Sequence, residues 1–193
     1  GNDTYTVPVE DGMAVVVLDE LPVGNYTAEV AYSGDDKYKP VSDSVNGTVD
    51  KVSDTFIDAY AEPVEVDEDT IIQVLLPEDA TGNVTVTIGN DTYTAPVEDG
   101  QAIVTVPGGL PAGEYEAEVA YSGDDKYEPA YLPVDVVVEK VPDAEINATS
   151  EPAEYGSPAV IVVTLPEDAT GIVVADIDGE LYAVNVEAGV AII

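Results

Sequence analysis

Apolar side chains alternate with polar ones through much of this chain. Asn83-Val84-Thr85-Val86-Thr87-Ile88 and Gln101-Ala102-Ile103-Val104-Thr105-Val106 are two of the clearest runs. A period of two puts successive side chains on opposite faces of a strand, so these runs predict half-buried β-strands. The same reading along the central part of the chain predicts strands near residues 55–61, 69–76, 83–88, 91–96, 101–107, 114–121 and 131–139. Gly89-Asn90-Asp91, between two such runs, predicts a tight hairpin, and Asp178-Gly179-Glu180 keeps that turn further on. Residues 76–82 carry Pro77 and end in Gly82, which suits an inter-strand loop or a single helical turn. Seven short strands with closely spaced turns and no helical period describe an all-β sandwich of about 90 residues.

The pattern repeats. Residues 1–51 recur at 89–140 with one extra residue in the middle, and 32 of the 51 positions are identical. Residues 52–104 recur at 141–193 with a constant offset of 89, and Leu76-Pro77-Glu78-Asp79-Ala80-Thr81-Gly82 returns as Leu165 to Gly171. The chain therefore divides into 1–51, the C-terminal part of one repeat; 52–140, a complete repeat; and 141–193, the N-terminal part of another. The outer parts correspond to 89–140 and 52–104, so they overlap by the 16 positions 89–104. That overlap would duplicate a strand if the two parts completed one another between chains. The simpler expectation is a window onto a longer array, with head-to-tail strand exchange as the alternative. The junctions Lys51-Val52-Ser53-Asp54 and Lys140-Val141-Pro142-Asp143 carry no Gly/Ser tract, so successive repeats are expected to stack stiffly.

Composition changes the picture in three ways. Five Lys and no Arg stand against 40 Asp and Glu, for a net charge of −35, while 45% of residues are hydrophobic. A core can be built, and the charge describes its surface. Such a field disfavours nucleic acid and anionic lipid, because both need clustered Lys or Arg. Cys and His are both absent. Disulfides, thiolate metal sites and Ser–His or Cys–His nucleophiles are thereby excluded. No run approaches the roughly 18 apolar residues that cross a bilayer as a helix, so no membrane insertion is expected in this segment. The opening residues lack a charged-then-apolar leader, so an export signal is expected outside the segment.

Six of the seven Asn residues open an Asn-x-Ser/Thr triplet: Asn2, Asn25, Asn46, Asn83, Asn90 and Asn147; only Asn185 does not. Ser and Thr are not common enough to give that by chance, so N-glycosylation on solvent faces and passage through an export pathway are expected. The competing explanation is that Thr at i+2 is simply good strand chemistry. Tyr-Ser-Gly-Asp-Asp-Lys-Tyr occurs at 32–38 and 121–127. Gly and Asp are turn residues, so a structural loop is the first reading. A Ca²⁺ site built on Asp35 and Asp36, or on Asp124 and Asp125, is the second, since hard cations take carboxylate oxygens. No other cofactor is expected. Leu-Pro-x-Gly-x-Tyr at 21–26 and 110–115 precedes a strand, where a tyrosine corner would pin a crossover. Acidic pairs such as Glu98-Asp99 and Glu78-Asp79 invite a glycosidase reading, but forty carboxylates make chance pairs inevitable and a small sandwich offers little cleft. No catalytic residue is assigned, and the chain is read as a non-enzyme.

The phrase Leu-Pro-x-Gly-x-Tyr followed by Tyr-Ser-Gly-Asp-Asp-Lys-Tyr, at 21–38 and 110–127, resembles the Ig-like repeats of adhesin-like surface proteins of methanogenic archaea. It is similar to the bacterial Ig-like "big" repeats of surface proteins generally. The resemblance implies a seven-stranded immunoglobulin-like sandwich, extracellular display at the cell surface in tandem arrays, and a role in adhesion. It carries no catalytic or ligand-binding residues. Two functions follow as expectations: a structural stalk or filament, whose partners are neighbouring repeats, or repeats that themselves bind a partner cell or glycan.

Overall fold

The computed structural model describes residues 4–142 and 144–193. It is all-β, with no helix among the described residues. The chain folds as two compact units, Gly1–Glu139 and Lys140–Ile193.

The first unit begins with a long hairpin, β1 (Gly24–Tyr32) and β2 (Val41–Val49), paired from Gly24↔Val49 to Tyr32↔Val41. Eight strands follow: β3 (Asp58–Ala61), β4 (Val64–Glu65), β5 (Thr70–Leu75), β6 (Asn83–Ile88), β7 (Asp91–Pro96), β8 (Gln101–Val106), β9 (Gly113–Tyr121) and β10 (Ala130–Glu139). They form a three-stranded sheet, β3-β5-β8, and a five-stranded sheet, β4-β10-β9-β6-β7.

The two sheets share one core. Ile72 and Val74 on β5, Val104 and Val106 on β8, Val84 and Val86 on β6, Val119 on β9 and Val136 on β10 are all fully or almost fully buried. β8 shows how the sequence writes this: Ala102, Val104 and Val106 face inward, while Gln101, Ile103 and Thr105 face out. Each buried Val contributes roughly 1.5–3 kcal/mol relative to an exposed one. With 7% aromatics, the core is built of many such increments and few large ones.

One expectation needs correction. The strand expected over 55–61 is shorter, β3 at Asp58–Ala61, and a further short strand, β4 at Val64–Glu65, follows it in the other sheet. β3 pairs antiparallel with β5, and β4 pairs parallel with β10 through Val64↔Val138 and Glu65↔Glu139. Pro63 sits between them. Without an N–H it cannot continue the ladder, and the chain crosses to the other sheet there. The complete segment thus has eight strands where seven were expected. Residues 76–82 are a loop with a turn, closed by Ala80 N–H to Pro77 O at 2.9 Å, and not a helical turn.

The second unit holds β11 (Asn147–Ser150), β12 (Ile161–Thr164), β13 (Ile172–Ile177), β14 (Glu180–Asn185) and β15 (Val190–Ile192). β11-β12-β15 form one sheet and β13-β14 another. Its registers are those of the complete segment moved by 89 positions. Asn147 faces Thr164 as Asp58 faces Leu75, and Ile172 faces Asn185 as Asn83 faces Pro96. β1 and β2 likewise match β9 and β10, with Tyr32↔Val41 answering Tyr121↔Ala130.

Residues 4–23 behave differently from their counterparts. Asp11-Gly12 makes the same left-handed turn as Asp99-Gly100, closed by the bridge Glu10↔Met13 as Glu98↔Gln101 closes the other. Yet Met13–Leu18, which corresponds to β8, is not a strand. β8 is paired with β5, whereas Met13–Leu18 joins no sheet among the described residues.

Candidate functional site

The loop 122–129 and the loop 76–82 meet at one end of the complete segment, and Asp124 joins them. Its Oδ1 accepts from the backbone N–H groups of Lys126 and Tyr127, each at 2.8 Å. Its Oδ2 accepts from Thr81 N–H at 2.8 Å and from the Thr81 hydroxyl at 3.0 Å. Partial burial opposes the charge on Asp124, but these donors outweigh it and hold the carboxyl well below the usual carboxylate range.

Around that centre, Tyr121 is 1% exposed and its phenol donates to Thr81 O at 2.7 Å. Burial, with the neighbouring Asp124 carboxylate, pushes the Tyr121 phenol upward. Tyr127 donates to Asp79 Oδ1 at 2.6 Å, and the Lys126 ammonium pairs with Asp79 Oδ2. The Lys126 ammonium and then the Tyr127 phenol lower the Asp79 carboxyl, the opposite of what a general acid requires. Gly82 and Gly123 permit the close approach. Both have positive φ, and a Cβ on Gly82 would stand 2.8 Å from Ser122 Oγ and 2.9 Å from Gly123 O.

The junction closes the same loop from its other side. Val52 N–H donates to Lys126 O at 2.9 Å, Glu128 N–H donates to Val52 O at 3.0 Å, and Lys51 Nζ donates to Asp124 O.

These contacts decide how the acidic loop is built. Both carboxylate oxygens of Asp124 are engaged by N–H and O–H donors, so the residue acts as the acceptor of a turn. Asp125 and Asp36 are exposed. Among the described residues no group of three or more His, Cys, Asp or Glu side chains comes together to hold a metal. In the β1–β2 hairpin, Asp35 Oδ1 accepts from Lys37 and Tyr38 N–H at 2.7 Å, reproducing the turn, while Oδ2 accepts from the Tyr32 phenol at 2.7 Å. That phenol, then the two N–H donors, lowers the Asp35 carboxyl.

Asp79 and Thr81 are the site residues that sequence reasoning missed. Both recur in the third segment, as Asp168 and Thr170, but so does the whole of Leu76–Gly82, so recurrence alone does not single them out.

The glycosylation candidates Asn25, Asn46, Asn83, Asn90 and Asn147 are all exposed, whereas Asn2 lies outside the described residues. Two triplets interlock across the first hairpin. Asn25 Oδ1 accepts from the Thr48 hydroxyl at 2.9 Å, and Asn46 Oδ1 accepts from the Thr27 hydroxyl at 2.7 Å. The expected tyrosine corners are formed: Tyr115 donates to Pro111 O at 2.6 Å and Tyr26 donates to Pro22 O.

Comparison with known protein families found no match, and comparison with curated proteins found no relative.

Proposed function

We propose that this chain is a non-catalytic segment of an extracellular, cell-surface array of Ig-like repeats, acting as a stalk or filament. The observation that carries this reading is the recurrence of strand register at a spacing of 89 residues on both sides of the complete segment. An array needs a unit that can be added end to end, and a unit that keeps its register keeps its length. The crossing of the chain between sheets after β3, the parallel pairing of β4 with β10 and the Tyr115 corner support the immunoglobulin-like assignment. Exposure of the Asn-x-Thr sites supports passage through an export pathway.

Two measurements on native source cells test this. Antibody to residues 52–140 should label intact cells, and the label should vanish after external protease. Glycopeptide mass spectrometry should find sugar on at least some of Asn25, Asn46, Asn83, Asn90 and Asn147. Labelling only after lysis, with every Asn bare, overturns the proposal. Specific binding of the purified chain to partner cells or glycans would shift the role from spacer to adhesive module.

A further inference from the structure

Two Asn-x-Thr triplets of the complete segment stand close together in sequence and are held in opposite ways. Asn83-Val84-Thr85 opens β6, an inner strand of the five-stranded sheet with β9 on one side and β7 on the other. Val84 faces Ala95 and Tyr121, and Thr85 faces Thr94 and Ala120. The Asn83 N–H donates to Ser122 Oγ at 3.1 Å, and the Asn83 carbonyl accepts from the Ser122 N–H at 3.0 Å. The Thr85 hydroxyl lies 3.2 Å from that of Thr94. Val84, the middle residue of the triplet, has an exposure of 0%.

Asn90-Asp91-Thr92 begins in the turn that joins β6 to β7 and runs into β7, the edge strand of the same sheet. Gly89, at a φ of 60°, lets the chain reverse there within two residues. Ile88↔Asp91 closes the ladder, so Asn90 itself is outside it. Asn90, Asp91 and Thr92 are all exposed.

Sugar transfer to asparagine forms a bond from the carboxamide nitrogen to the anomeric carbon of a lipid-linked oligosaccharide. The bond from that carbon to the phosphate oxygen breaks, the lipid phosphate leaves with the electron pair, and the nitrogen gives up one proton. Resonance with the carbonyl makes the amide nitrogen a poor nucleophile, so the enzyme must hold it closely while reading the hydroxyl two residues on. It therefore has to reach three consecutive residues. We infer that folding divides the two acceptors: Asn83 takes sugar only before β6 enters the sheet, whereas Asn90 also takes it from the folded segment. Uncovering Val84 requires β6 to leave β7 and β9 together, which takes apart the core that Val84 and Val86 help to build. Sugar already on Asn83 does not obstruct folding, because that side chain points to solvent. Occupancy of Asn83 is thus a record that the enzyme met the chain unfolded, and occupancy of Asn90 is not. The inference rests on the export reading above for the presence of such an enzyme.

The test offers the full 193-residue chain, produced without sugar, to a purified single-subunit oligosaccharyltransferase and its lipid-linked oligosaccharide. Glycopeptide mass spectrometry reads each site. On the folded chain Asn90 should gain sugar while Asn83 stays bare, its rate set by the unfolded fraction at about a thousandth or less of the unfolded rate. Val119→Asp places a charge at a fully buried position opposite Val86 on β6 and should abolish the thermal transition of the segment. That variant should gain sugar at both Asn83 and Asn90. A peptide of residues 80–95, which carries both triplets unpaired, makes the same comparison without relying on the variant. Transfer to Asn83 of the folded chain at the rate of the peptide would overturn the inference. So would refusal of Asn90 by the folded chain, or a peptide that takes no sugar at Asn83. Bare asparagines on native cells would instead count against export and leave this folding dependence standing, because the assay supplies its own enzyme.

Discussion

Asp124 and Thr81, 43 residues apart, are joined twice: one carboxylate oxygen of Asp124 accepts from both the amide and the hydroxyl of Thr81. The other oxygen is spent within the loop of Asp124 itself, on the amides of Lys126 and Tyr127. One side chain therefore shapes its own turn and ties it to a loop from the far side of the sequence.

Asp124→Ala removes four accepted hydrogen bonds and leaves amide donors at a partly buried position. The expected loss of stability is about 1–3 kcal/mol, read as a lower midpoint in urea with unchanged slope. Thr81→Val removes only the hydroxyl and should cost less. If the two variants were equally destabilised, the Thr81 hydroxyl would be carrying the whole connection.

Because its donors hold the Asp124 carboxyl below the usual range, the stability it contributes is present above the ordinary Asp value near 3.9 and is lost as pH falls through the folded-state value. The difference in melting temperature between the native chain and Asp124→Asn should be flat from pH 8 to pH 5 and close in more acid solution. A gap that widened toward acid would mean that the donors favour the protonated form.

Val119 and Val30 are a matched pair with opposite surroundings. Val119→Ala should destabilise the complete segment by about 2 kcal/mol, for two lost methyl groups and the space they leave. Val30→Ala should leave the thermal transition of a dilute sample unchanged. Calorimetry of both variants at low concentration reads the contrast directly.

A net charge of −35 on 193 residues opposes compaction through self-repulsion. Raising NaCl from about 10 mM to 1 M shortens the screening length from about 30 Å to about 3 Å. The melting temperature should rise over that range, and Glu or Asp to Gln or Asn changes on outward-facing positions such as Glu116 or Glu118 should reduce the rise. A melting temperature independent of salt would show that the charges are already too far apart to interact.

Tyr115→Phe deletes one phenol bond to Pro111 O at the entry to β9. The expected cost is about 1 kcal/mol, visible as faster local hydrogen exchange around residues 110–114 with the remote edge of the sheet unaffected.

Strand positions were legible in the sequence wherever alternation was clean, as at Asn83–Ile88 and Gln101–Val106, because period two depends only on the geometry of one strand. Turns were legible for a related reason: the expected hairpin turns at Gly89-Asn90 and Asp178-Gly179 close Ile88↔Asp91 and Ile177↔Glu180. What could not be read was whatever depends on a distant partner. Met13–Leu18 has strand chemistry yet joins no sheet among the described residues, and the extra strand at Val64–Glu65 depends on where β10 arrives. In the site, the Asp124 turn was legible from its Gly and Asp. Its connections to Asp79 and Thr81 were not, since loop-to-loop contacts across more than 40 positions leave no local pattern.

The parallel pairing of β4 with β10 has a mechanical consequence. These are near the first and last strands of the complete segment, and Val66 N–H to Glu139 O extends their contact at 2.9 Å. A pull on the two ends of the segment drags the strands past one another along their length. The bonds then bear load side by side and must fail together, whereas a hairpin pulled open from its ends gives way one pair at a time. Tension entering from the N-terminal end, once past the Val52 bonds and β3, thus reaches a strand pair placed to resist it in shear.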